Sequence, residues 1–459
     1  MSHRDRVCLN SSSLRAALDW LSGGIDWSSI RLREDCTWTP RLLATTALLW
    51  AWSDEGTLVD RFVAVRRIAL HLFTPATETA RSYQAFTKLL RRWTVELVGL
   101  LQRALRERMR KELAGSWRVG GFVTFAVDGS RAELPRTRSH EEAYSFARRK
   151  RRSRKGRRGH QRGGIHAKKA NSPQLWLTTM WHVGTGLPWD WRIGPADSSE
   201  RGHWLEMLPT LPPGALMAVD AGFVGYEYTR AVLQSQCHVL LRVGSNVRLV
   251  KKLGFTREQG NTVYLWPDRE AKRREPPLVL RLVVAHTGRH PVFLVTSVLS
   301  TRDLTDQQVV ELYARRWGIE LFYRHLKQTF QRRKLRSARA ENALFELEWS
   351  LAGLWAMALY ALVANRARDL PPPRLSIAGT LRAFRRVLRD YMHPRERGRG
   401  LCDALRKAVI DDYPRGPKAS RDYPRKKQER PPAAPRILNA SPAQLRWSKL
   451  LLNQSIQKG

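Results

Sequence analysis

A chain of 459 residues with 81 Lys and Arg against 41 Asp and Glu carries a formal net charge of +40. That length excludes a small module and predicts two or three domains, and 17 Trp with 42% apolar residues exclude a disordered basic tail. A self-repelling surplus of this size makes sense mainly beside a polyanion, so nucleic acid is the first partner expected, ahead of an anionic membrane surface or a ribosome-like packing role.

The opening MSHRDRVCLNSSS lacks the apolar run of a signal peptide. Cys8, Cys36, Cys237 and Cys402 are scattered, with no CxxC pair, and read as reduced thiols of a cytoplasmic protein rather than as a zinc knuckle or disulfide framework. Residues 1–118 read as a helical, DNA-binding domain. Thr39 before Pro40 marks a helix start. Leu89, Trp93, Leu97, Leu101, Leu105, Met109 and Leu113 recur every fourth position as the buried stripe of a long helix, whose other face carries Arg91, Arg92, Arg103, Arg106 and Arg110.

From Gly120 the period changes. GFVTFAVDGS and GALMAVDAGF are short apolar runs that read as buried strands, each with an aspartate at its exit, Asp128 and Asp220. Between them, Phe146 to Lys169 holds twelve Lys and Arg and no acid, interleaved with glycine. Such a run cannot pack and is expected to lie along a phosphate backbone. HVLLRV, NTVYLWP, LVLRLVVAHT and PVFLVTSVL predict a β-rich insertion at about 240–298.

Helix signals resume at TDQQ, a capping box of Thr305 and Gln308 that starts a helix near Asp306. The uncharged run Trp349–Ala364 is short for a membrane span and reads as a buried core helix. Residues 346–459 are expected to form a C-terminal helical region ending in a basic, Pro-rich tail, in which DYPR occurs at 412–415 and 422–425.

The chemistry concentrates in YARRWGIELFYRHLK, residues 313–327. On a regular helix Tyr313, Arg316, Glu320 and Lys327 would share an arc of about 60°, at the edge of an apolar face formed by Leu312, Ile319, Phe322, Tyr323, Leu326 and Phe330. Two strand-end aspartates and a helix-borne glutamate are the parts needed to hold two divalent metals about 3.5–4 Å apart for phosphoryl transfer. Hard oxygen ligands suit magnesium or manganese. A plain exposed helix would explain Glu320 through ion pairs with Arg316 or Arg324, but not the two aspartates.

The pattern Y-x2-R-x3-E-x6-K, together with VDG at Asp128 and VDAGF at Asp220, resembles the YREK signature of DDE transposases of insertion sequence family four. The resemblance covers roughly residues 120–335. It implies an α/β fold with an RNase H-like catalytic core, here 119–345, interrupted by the β-rich insertion. It also implies cut-and-paste transposition of an insertion sequence: metal-dependent cleavage at terminal inverted repeats, often through a hairpin, then strand transfer to target DNA. By the same match Asp128, Asp220 and Glu320 carry over as catalytic metal ligands, with Tyr313, Arg316 and Lys327 as contacts to double-stranded DNA, and a homodimer on DNA is the expected assembly. Some members hold a flipped base on a Trp in the insertion. Trp266 is the one Trp available there, although a core Trp is the better reading. Ala221 departs from the basic residue often expected after the second aspartate, which puts a nearby phosphate contact in doubt. The alternatives are a catalytically silent, transposase-derived DNA-binding protein, against which all three carboxylates argue, and another RNase H-like nuclease, which the YREK pattern disfavours.

Overall fold

In the computed structural model, which describes residues 3–73, 82–145, 172–254, 260–286, 290–366, 370–391, 400–411 and 433–456, one mixed sheet runs through the molecule. Strands β1 (Thr124–Glu133), β2 (Gln174–His182) and β3 (Leu187–Pro195) are antiparallel neighbours. On the other side of β1 lie β4 (Leu216–Val219) and then β5 (His238–Val243), both parallel to it. The order β3-β2-β1-β4-β5, with helical crossovers into the two parallel strands, is the RNase H-like arrangement.

The expected insertion is present and extends the same sheet. It comprises β6 (Arg248–Lys251), β7 (Thr262–Leu265), β8 (Leu278–Ala285) and β9 (Val292–Thr296), the last returning antiparallel to β5. Trp266 is 1% exposed and donates its indole N–H to the Glu275 carbonyl at 2.8 Å, so it is a core residue and presents no face for a base. A tenth strand, β10 (Arg436–Asn439), joins β6 in parallel from the far end of the chain. The C-terminal segment is therefore not purely helical, because part of it completes the insertion sheet.

The helices in chain order are α1 (His3–Ser22), α2 (Pro40–Trp52), α3 (Leu58–Phe73), α4 (Tyr83–Glu112), α5 (Arg138–Tyr144), α6 (Glu200–Met207) and α7 (Tyr226–Gln234). They continue with α8 (Asp268–Lys272), α9 (Asp306–Arg315), α10 (Gly318–Arg324), α11 (Ala340–Ala364), α12 (Ile377–Arg389), α13 (Leu401–Arg406) and α14 (Pro442–Ile456). Thr39 caps α2 with Pro40 in its first turn, as the sequence predicts. In α4 the stripe is buried from Leu97 to Met109, but Leu89, Trp93 and Leu113 sit at its edge. Each four-residue step overshoots a full turn by about 40°, so the inward face passes to Phe86, Leu90 and Thr94.

Helix α11 is long and apolar enough to cross a membrane by length and composition, yet most of it is buried against α4, α2 and β3. Contact on several sides explains why it is apolar nearly all round. Its Trp349 indole donates to Thr94 Oγ1 at 3.0 Å, and Trp52 of α2 donates to the Gly353 carbonyl at 2.8 Å. The expected boundary at 345/346 falls inside this helix, which ties the helical domain to the sheet. Cys36, Cys237 and Cys402 are free thiols. The basic run Phe146–Lys169 and both DYPR copies lie outside the described residues.

Candidate active site

Strand register brings the two aspartates together. The last pair between β1 and β4 is Val127 with Val219, and the next residue on each strand is Asp128 or Asp220. Parallel neighbours lie about 4.8 Å apart, so the two carboxylates start from the same level of adjacent strands. Asp220 leaves its strand as expected. Asp128 does not, because β1 continues to Glu133 on β2 alone, with Asp128 opposite Thr179. The ending of β4 opens the space that both carboxylates flank.

The helical segment that follows is not one regular helix. The capping box is complete, Thr305 and Gln308 exchanging bonds of 2.8 and 3.2 Å, and α9 begins at Asp306 as predicted. At Arg316 and Trp317 the ladder tightens to three-residue bonds, including Ile319 N to the Arg316 carbonyl at 3.1 Å and Glu320 N to the Trp317 carbonyl at 3.1 Å. After α10 the chain widens into a π turn, His325–Thr329. The expected 60° arc is thus replaced by a tightened turn and a widened one, with Tyr313 bonded to Asp220 and Arg316 nearest Glu320.

Two contacts fix α10 on the sheet. Tyr323, buried, donates its hydroxyl to the Asp128 carbonyl at 2.5 Å and accepts the Thr179 N–H at 3.2 Å. Gly318 lies so close to β2 that a methyl group there would stand 2.1 Å from the Trp181 ring. Gly318→Ala should therefore overpack this contact at a cost of about 1–3 kcal/mol and push Glu320 outward. A thermal melt measures it, and a wild-type melting temperature would mean that Trp181 yields freely.

Around the carboxylates, Tyr313 donates to Asp220 Oδ1 at 3.0 Å and Arg242 of β5 stands 3.9 Å from the same oxygen. Arg316 reaches Glu320 Oε1 at 3.9 Å and stacks its guanidinium over the Tyr313 ring at 5.2 Å. Arg316 is only 8% exposed, and its Nε is buried without a hydrogen-bond partner. Glu320 itself remains exposed, held by the Trp317 indole at 3.3 Å.

Burial pushes Asp128 up to about 6, against the Gly129 amide and Arg316, and Glu320 and Asp220 add to the rise. Burial, then Arg333, lowers Lys327, while Glu133 and Asp128 oppose that shift, so Lys327 lies on the Asp128 side of the site. Among the described residues no group of three or more His, Cys, Asp or Glu side chains is placed to hold a metal ion as the side chains stand. Asp220 and Glu320 stand near enough to Asp128 for their charges to add to its rise. Carboxylate oxygens are the donor type that suits a hard divalent cation.

Sequence reasoning missed Arg242, Tyr323 as a positioning hydroxyl, and Glu200. The last is a fourth carboxylate that burial, followed by Asp128, pushes up to about 6. Arg242 sits inside HVLLRV, a run that reads only as a strand, and no local signal separates it from a surface arginine.

The family model described as a transposase DDE domain matches residues 120–355. The chain is 23% identical over 227 residues to the transposase InsG for insertion sequence element IS4 of Escherichia coli (strain K12), covering 47% of this chain. The match takes in 51% of that protein, so the chain spans about half the length of the curated relative it matches. Among solved structures, that of a piggyBac transposase synaptic complex with hairpin DNA is similar over 91% of this chain and 90% of the other, at 13% identity and a TM-score of 0.42.

Proposed function

Because the chain belongs to the transposase DDE domain family, we propose that it is a transposase that cuts DNA at the terminal inverted repeats of an insertion sequence and joins the freed 3′ ends to target DNA. The observation that carries this reading is the shared level of Asp128 and Asp220 on parallel strands, with Glu320 on α10, the helix whose Tyr323 bonds the Asp128 carbonyl.

Asp128, Asp220 and Glu320 are the residues that would hold magnesium or manganese. When bound, such ions supply a Lewis acid for the attacking and leaving oxygens of the phosphodiester. Arg316 brings a guanidinium held beside Glu320 and over the Tyr313 ring, a group suited to a phosphate oxygen of the DNA end. Lys327 offers a second cation on the Asp128 side. Tyr313 orients Asp220 through its hydroxyl and supports Arg316 through its ring. The contact in doubt at Ala221 has a substitute in Arg242, beside Asp220 on the neighbouring strand. The N-terminal helical domain is assigned to terminal-repeat recognition by position alone. Double-stranded DNA is the partner, a homodimer the working assembly and the bacterial cytoplasm the place.

The test is incubation of the full chain, with magnesium or manganese, with a duplex carrying the inverted repeats that flank its gene. Cleavage at the repeat ends is expected. Tight binding without cleavage would favour the catalytically silent binder. Arg316→Ala and Lys327→Ala should each slow cleavage at saturating metal, and wild-type rates in both would reduce the YREK match to coincidence.

Binding should also be strongly salt-dependent. If about six to ten phosphates are engaged, affinity for duplex DNA should fall by roughly 10³–10⁵ between 50 and 200 mM salt. A salt-insensitive gel shift would remove the argument from the charge of +40.

A further inference from the structure

Beyond the π turn that carries Lys327, the chain continues as a basic, non-helical segment. Gln331 to Arg339, QRRKLRSAR, holds five cations and no acid. It is pinned on both sides. Toward β1 it forms a parallel bridge of Lys334 with Glu133, in which the Glu133 N–H donates to the Arg333 carbonyl at 2.8 Å and the Leu335 N–H to the Glu133 carbonyl at 2.9 Å. Toward α11 the buried Glu346 accepts the Ser337 N–H and hydroxyl. Further on, the Thr137 hydroxyl donates to the Ala338 carbonyl at 2.9 Å, and Ser139 Oγ accepts the Ala340 N–H at 3.0 Å. The segment therefore runs beside residues 133–139, from the end of β1 beyond Asp128 to the start of α11.

Arg332, Leu335 and Ser337 are buried, which leaves Arg333, Lys334, Arg336 and Arg339 exposed. Arg333 pairs with Glu133 at 3.5 Å, and Arg336 donates to the Gly56 carbonyl. Lys334 and Arg339 have no acidic partner among the described residues. At the near end of the row, burial first and Arg333 second disfavour the charge of Lys327. At the far end Glu341 takes Arg91 of α4 at 3.4 Å, so the row meets the exposed cations of the helical domain. Like charges held in one row repel, and a backbone this firmly bonded cannot spread them apart. A partner with its own row of negative charge offsets that repulsion. From Arg333 to Arg339 is at most about 20 Å, on the order of half a turn of duplex DNA. Both ends of the row lie on groups already read as DNA contacts, Lys327 and the arginine face of α4, which favours a duplex over an acidic peptide.

We propose that residues 333–339 form a phosphate track, with Lys334 and Arg339 as its free contacts, that holds the backbone of the terminal-repeat duplex in the first half-turn inside the repeat end. The identity of that duplex rests on the proposed function. Contacts of this kind set the position of a duplex and read no sequence.

The experiment is a gel shift, without divalent metal, of the full chain and of the double variant Lys334→Ala/Arg339→Ala on the repeat duplex that flanks its gene, with neutral methylphosphonates placed singly along it. Both side chains are exposed and unpaired, so the variant should melt as wild type does. It should bind the unmodified duplex roughly tenfold or more weakly, and its log–log salt slope should be shallower by about two. In wild type, methylphosphonates within about five base pairs inside the repeat end should weaken binding. In the variant those positions should have no further effect, while positions elsewhere weaken both proteins alike. A variant that stays sensitive to the same positions would overturn the track, and so would a loss of sensitivity confined to the flank outside the element. The expected pattern in a wild type that never cuts its repeat would sink the proposed function and leave the track as a DNA-binding surface. Cleavage by wild type with an unchanged pattern in the variant would sink the track alone. Should the alanine variant melt lower, Lys334→Gln/Arg339→Gln keeps the side-chain stems and is held to the same outcomes.

Discussion

Asp128→Asn should abolish strand cleavage while leaving duplex binding intact. The substitution keeps the size of the side chain and, on the proposed function, removes one anionic ligand of the cation that the reaction would need. Metal stabilisation of a phosphoryl-transfer transition state is worth several kcal/mol, so a loss of roughly 10²–10⁴-fold or more in rate is expected. Asp220→Asn and Glu320→Gln should behave alike. Asparagine at 220 can still accept from Tyr313, which separates loss of the ligand from loss of the hydroxyl contact. DNA affinity rests on the cationic surface and should stay level or rise slightly as repulsion between carboxylate and phosphate is relieved. The check is a cleavage assay on a repeat duplex beside a gel shift. A variant that cuts at the wild-type rate removes its residue from the triad.

How much of this site could be read from the sequence depends on the range of the interactions involved. Thr305, Gln308 and the spacing from Tyr313 to Lys327 are local, so the capping box and the signature spacing are both legible. That Asp128 and Asp220 stand level is a fact of register between β1 and β4, set by pairing across most of a hundred residues, and two short apolar runs could indicate strands but not their alignment. The departure from a regular helix was hidden for a related reason. The tightened turn at Arg316 accompanies Gly318 pressed onto Trp181, a partner on a distant strand. β10 is four residues after a Pro-rich stretch, too short to show a period.

Glu346→Ala is expected to cost about 3–5 kcal/mol of stability and to take activity with it. Glu346 is 0% exposed on α11, directly behind the segment that leaves the candidate site. Its carboxylate accepts the Arg336 N–H at 3.1 Å, the Ser337 N–H at 2.8 Å and the Ser337 hydroxyl at 2.7 Å. Those bonds hold residues 330–339, whose Leu335 N–H pairs with the Glu133 carbonyl at 2.9 Å and so closes the end of β1 beyond Asp128. The same carboxylate is the counter-charge for a buried group of arginines. Burial lowers Arg332 to about 10, with Glu346 the main opposing influence. Burial, followed by Arg332 and Arg336, lowers Arg61 to about 9, again against Glu346. Arg332 spends its donors on Ser350 Oγ at 2.7 Å and the Phe330 carbonyl at 2.8 Å, and Arg61 donates to the Glu55 carbonyl at 3.0 Å, so neither can turn to water without breaking structure. Removing Glu346 leaves two buried guanidinium groups uncompensated and two backbone N–H groups unpaired, which is why the effect should greatly exceed that of a surface acid. Glu346→Gln retains one acceptor oxygen for Ser337 and should fall between the two. Denaturant melts of the three proteins decide it. An alanine variant within about 1 kcal/mol of wild type would mean that water reaches Arg332 and Arg61, and that the link between α11 and the site is packing alone.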